Sequence, residues 1–149
     1  MTIAIGIKRV GRKQQVDTGE PQLALRAAPF HYLQPLLKPV TYQTGQSIEL
    51  DGFAIFEGND LLVLARTLAE LRLVVEAQPD SWPVQVGTQL RPRHEELPET
   101  VMRVGTEPLR REKLYETVTR QQILDVLTHW QIVVDRAQEL NRAVLCVGD

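Results

Sequence analysis

Near the start of the chain, apolar and smaller or polar side chains alternate strictly: Ile3, Ile5 and Ile7 are separated by Ala4 and Gly6. Successive side chains of a strand point to opposite faces, so residues 1–10 are predicted as a strand with one buried face. The next stretch, GRKQQVDTG over residues 11–19, is polar and reads as a turn or loop. Residues 20–40 hold Pro21, Pro29, Pro35 and Pro39. Proline lacks an N–H and clashes with the preceding turn, so a long regular helix is excluded there, although one helical turn fits over residues 32–37. Phe30, Tyr32, Leu33, Leu36 and Leu37 predict that this segment packs on the domain.

The pattern then changes period. SIELDGFAIF, residues 47–56, reads as a strand kinked at Gly52. Gly58 or Asn59 is placed to cap a helix reaching about residue 78, and Asp60 lies near its positive end. Leu61, Leu64, Leu68, Leu71 and Val75 form its apolar stripe, and Pro79 stops it. Residues 83–90, 100–105 and 113–118 read as strands, with 91–98 a polar loop. Thr119 and Gln122 have the T-x-x-Q spacing of a capping box, which satisfies two orphan N–H groups. The helix they open buries Ile123, Val126, Leu127, Trp130, Val133, Val134 and Ala137. Asn141 closes it, and residues 143–147 form a last strand.

Strand, helix and strand therefore occur twice in matching hydrophobic pattern. Leu64, Leu68 and Leu71 match Val126, Trp130 and Val133; Val84, Val86 and Gly87 match Leu145, Val147 and Gly148. The expected fold is a single α+β domain over residues 1–149. Residues 1–47 would supply an N-terminal strand and a proline-rich packing segment, and residues 48–149 the two strand–helix–strand units. The sheet would be mixed or antiparallel with both main helices on one face, an order compatible with a ferredoxin-like βαββαβ arrangement.

Composition narrows the classes. A chain of 149 residues buries enough surface to fold without metal or disulfide, and its single cysteine, Cys146, forms no internal bridge. The net charge of −2 argues against a general nucleic-acid binder. Residues 1–10 lack the apolar core of a signal peptide, and the most apolar stretch, residues 61–75, carries Arg66, Glu70 and Arg72, so no membrane span is expected. Residues 41–85 nonetheless carry two basic and seven acidic side chains.

Candidate chemistry is sparse. Gly87, Gly105 and Gly148 follow strands, but none leads into a helix N-terminus, so they read as strand ends rather than a phosphate cradle. His31, His94 and His129 lie on different elements without metal-ligand spacing, and His129 is four residues after Asp125, a helix-surface pair. Cys146 lies between Leu145 and Val147, which predicts a buried, inert thiol. Ser47 and Ser81 are in no nucleophile motif, and pairs such as Asp51 with Glu57 cannot be ranked without geometry. No catalytic residue, metal site or cofactor is assigned.

One resemblance adds to this. YLQPLLKPVTYQTGQSIELDGFAIF precedes the helix LLVLARTLAEL; QPDSWPVQVGTQL, the capped YETVTRQQILDVL and a terminal VLCVGD follow. Over residues 32–149 this layout resembles the small immunity proteins encoded beside bacterial polymorphic toxins. The resemblance implies a cytoplasmic, non-enzymatic protein that neutralises a cognate toxin by binding it, with no nucleic-acid or membrane partner. Self-association stays open. The expected binding residues are the acidic set Glu49, Asp51, Glu57 and Asp60, and secondly the loop with Arg91, Arg93, His94, Glu95 and Glu96. The competing reading is a small-molecule-binding or catalytic α+β domain.

Overall fold

The computed structural model describes residues 2–92 and 109–149. Strand β1 (Thr2–Ile7) is followed by β2 (Gln22–Arg26), α1 (Ala27–Leu33), a 3-10 turn (Gln34–Leu37) and α2 (Lys38–Thr44). Then come β3 (Phe53–Phe56), α3 (Asn59–Glu76), β4 (Ser81–Pro92), β5 (Leu109–Thr119), α4 (Arg120–Leu140) and β6 (Val144–Gly148). The fold is α+β. β2, β1, β6 and β3 form an antiparallel sheet in that order, while β4 and β5 form a separate two-stranded ribbon.

The alternation in β1 sets the core. Ile3, Ile5 and Ile7 are fully buried, and the register puts Leu25, Val144 and Cys146 on the same face, continued across β6 by Ala54 and Phe56. α3 and α4 pack against this face and against each other. The stripe Leu61, Leu64, Leu68, Leu71 and Val75 is buried, as is Ile123, Leu127, Trp130, Val133, Val134 and Ala137. Val126, expected in the second stripe, is only half-buried.

Thr119 caps α4 as its spacing predicts. Its Oγ1 accepts from the Gln122 N–H at 3.0 Å, and its own N–H donates to Gln122 Oε1 at 3.4 Å. We expect Thr119→Ala to cost about 1 kcal/mol in chemical denaturation; an unchanged midpoint would mean that the cap contributes nothing. At the other end Asn141 adopts the left-handed conformation, φ 52°, and closes the helix.

Three expectations need correction. Residues 20–44 are more regular than the prolines suggested: they form β2 and then three consecutive helical pieces. The reason is position. Pro29 lies in the first turn of α1, and Pro35 and Pro39 open the next two pieces, where a missing N–H breaks no hydrogen bond. Secondly, the strand expected over residues 47–56 is reduced to β3, because the segment before Gly52 crosses over the end of β6 instead of pairing: the Gly148 N–H donates to the Gly52 carbonyl at 2.7 Å.

The third correction concerns topology. Both strand–helix–strand units exist, but their strands are divided between two sheets. In a ferredoxin-like sheet β5 would lie antiparallel beside β3. Here that edge is met by Gln46, whose Oε1 accepts from the Ile55 N–H at 3.1 Å, and α2 packs beside α3. The ribbon instead rests on α1 and α4 through Trp82, Val84 and Val118, with Trp82 against Tyr32 at a ring separation of 4.9 Å. The strand expected over residues 100–105 lies outside the described residues.

Candidate interaction surfaces

The acidic set falls into two pairs. Glu49 and Asp51 precede β3, whereas Glu57 and Asp60 follow it. β3 pairs with β6 from Phe53↔Val147 to Phe56↔Val144, so the first two lie by the end of β6 and the last two by its start. A four-residue strand separates them by roughly 10–13 Å. Glu49, Asp51 and Glu57 are exposed and Asp60 is half-buried. Two of the four have local duties. Glu49 accepts from Ser47 Oγ at 2.6 Å and from Gln34 Nε2 at 3.5 Å. Asp60 lies in the first turn of α3, where a carboxylate complements the helix dipole.

Glu49 also borders a surface furrow of about 420 Å³ between the 3-10 turn, α2 and residues 46–49. Its apolar side is Leu37, Val40 and Ile48, and its rim holds Lys38, Tyr42 and Glu49. A second depression shares Gln34 and Glu49 and adds His31 and Asp51. Thus Glu49, Asp51 and His31, singled out separately in the sequence, come together beside the turn that precedes β3.

Other candidates are placed differently. His129 is exposed, but Asp125 is engaged by Gln121, whose Nε2 donates to Oδ1 at 2.8 Å; the expected Asp125–His129 pair is replaced by this contact. Arg93, His94, Glu95 and Glu96 lie outside the described residues, and Arg91 stands in β4 opposite Arg110 in the ribbon register. Among the described residues no three His, Cys, Asp or Glu side chains converge as a metal site would require, and no helix is long and apolar enough to cross a membrane.

Cys146 is buried between its register partners Ile5 and Ala54. Burial disfavours the thiolate and pushes the thiol pKa far above its ordinary value. We expect the native protein to resist a thiol-specific disulfide reagent and to react fully once unfolded; rapid native labelling would show that the β6 core opens.

Two arginines tie the N-terminal half to the end of α4. Arg142 donates to the Lys8 carbonyl and to Asp17 Oδ2, the latter at 3.0 Å, and Arg136 donates to Glu20 at 2.9 Å. The Gly19 N–H and then Arg142 hold the Asp17 carboxyl below its usual range. Whatever this adds is present above the ordinary carboxylate pKa and is lost as pH falls through the lowered one.

The surface that sequence reading did not single out is the outer face of the ribbon. Strand pleating sorts β5 by parity. Arg111, Lys113, Tyr115 and Thr117 fall on one face with Gln85, Thr88 and Leu90, while Glu112, Leu114, Glu116 and Val118 fall on the other. On the outer face Leu90 is 60% and Tyr115 56% exposed, and Arg111 and Lys113 are exposed too. The signal was legible in LRREKLYET, where the alternation places Arg111 and Lys113 out of phase with Glu112 and Glu116.

Comparison with protein-family models, with curated proteins and with solved structures found no match to this chain.

Proposed function

We propose that this chain is a non-catalytic, protein-binding protein, an immunity protein that neutralises a cognate bacterial toxin by direct binding in the cytoplasm. The layout over residues 32–149 motivates the reading. The observation that carries it is the ribbon, which continues well beyond its packed base and bears large exposed side chains with no folding duty. Holding a lethal enzyme inactive requires nanomolar affinity or better, about −12 kcal/mol, which an interface of roughly 800 Å² per partner supports.

The test is co-expression with the product of the adjacent gene. The expected result is rescue of growth by the wild-type chain and a one-to-one complex on purification. A neighbour that is harmless, or that kills equally with and without this chain, would remove the reading.

The furrow beside Glu49 favours a second reading, a small-molecule site, since it pairs an apolar floor with a polar rim. Saturable binding of a metabolite that is lost in Ile48→Asp would support it, and absence of any thermal stabilisation by a metabolite panel would count against it.

A further inference from the structure

We infer that the outer face of the β4–β5 ribbon, centred on Leu90, Arg111, Lys113 and Tyr115, docks an acidic protein surface, and that this surface belongs to the toxin. The inference rests on the immunity reading and names the chemistry of its partner.

Three features of the ribbon lead here. The first is charge. Within the described part of this face there are two exposed cations and no acid, although residues 41–85 carry a net charge of −5 and the whole chain −2. Both acids of β5, Glu112 and Glu116, fall on the opposite face. The register brings Arg111 opposite Leu90 and Lys113 opposite Thr88, next to the Gln85–Tyr115 pair, so cationic and apolar groups form one continuous strip.

The second is composition. Exposed tyrosine and arginine are among the residue types that dominate binding energy at protein interfaces. The third is location. The base of the ribbon is held by Trp82, Val84 and Val118, whereas from Thr88 to Leu90 every described side chain of β4 is exposed. The strip is therefore presented on a rigidly rooted arm rather than on a free loop.

Other occupants fit less well. Nucleic acid rewards many phosphate contacts, and two cations on an acidic chain supply few. A second copy meeting ribbon face to ribbon face would set Arg111 and Lys113 against their own like charges. An acidic protein surface with an apolar centre satisfies both the cations and the exposed Leu90 and Tyr115.

The experiment measures association and dissociation rates between this chain and the product of the adjacent toxin gene, made catalytically inactive. Arg111→Glu with Lys113→Glu is expected to slow association at least about tenfold at low salt, a difference that shrinks at high salt. Tyr115→Ala is expected to speed dissociation by about tenfold or more. Glu116→Lys, on the opposite face, is expected to leave both rates close to wild type. Thermal unfolding is recorded for each variant, and Arg111→Gln with Lys113→Gln replaces the reversal if that fails to fold.

Wild-type binding that none of the ribbon variants alters overturns this inference and leaves the immunity reading standing. No binding by the wild type removes the immunity reading, and the proposed partner with it. Retention of a DNA or RNA duplex at physiological ionic strength, lost in the same variants, overturns it in favour of nucleic acid. A sedimentation change of the free protein caused by the same substitutions overturns it in favour of a second copy.

Discussion

Trp130→Ala is expected to lower the stability of this protein by about 3–5 kcal/mol, the cost of truncating a buried tryptophan. Trp130 is completely buried on α4, in the same cluster as Leu68, Leu71, Val133 and the isoleucines of β1. Removing the indole leaves a cavity in that cluster. Equilibrium denaturation reads the loss directly, and at this chain length the melting temperature falls by roughly 10–15 °C. Among the described residues the indole Nε1 has no hydrogen-bond partner. Trp130→Phe therefore loses volume but no hydrogen bond, and is expected to cost clearly less than Trp130→Ala. A loss below about 1 kcal/mol for the alanine variant would mean that this position is not core.

Gly148→Ala is expected to cost about 1–3 kcal/mol, the range for forcing an extra carbon into a packed site. A Cβ at Gly148 would lie 2.1 Å from the Leu50 carbonyl oxygen and 2.6 Å from that of Glu49. Both are backbone atoms, so residues 49–52 must move. That movement also strains the bond from the Gly148 N–H to the Gly52 carbonyl. The comparison is Gly87→Ala. Gly87 closes the matching apolar run, yet a Cβ there meets nothing within 4 Å, so its effect is expected to stay within about 0.5 kcal/mol. Equal costs at the two glycines, measured by chemical denaturation, would show that the 49–52 segment is not seated on β6. Unequal costs would have a second use, since a displaced Glu49 and Asp51 can be tested for any loss of partner binding.

These two glycines show where the pattern stops informing. VQVG and VLCVG look alike, and each follows an amphipathic helix. The first belongs to a ribbon with solvent on one face; the second runs between two strands and beneath a crossing loop. Hydrophobic periodicity records which side chains are buried. It does not record which strand lies alongside, because backbone hydrogen bonding is nearly independent of side-chain identity.

The same distinction runs through the candidate surfaces. Glu49, Asp51, Glu57 and Asp60 lie within twelve positions of one another, and proximity in sequence suggested one acidic face. A strand inserted between them carries the two halves apart, and a helix start takes up Asp60. The ribbon strip is the reverse case. Leu90 and Arg111 are far apart in the chain, and only the β4–β5 register places them opposite each other.

What the sequence determined by itself is what local rules govern: the buried face of β1, the two amphipathic helices with their stripes, the Thr119–Gln122 cap, the Asn141 stop and the buried thiol. Each depends on side-chain period or on hydrogen bonds within one turn, so a few neighbouring residues suffice. Only the tertiary structure decided how those elements are shared between a four-stranded sheet and a ribbon, because that choice turns on long-range competition for one strand edge. Gln46 meets the edge of β3 while α2 packs beside α3, the ribbon rests on α1 and α4 instead, and the side of β5 bearing Arg111, Lys113 and Tyr115 is left facing solvent.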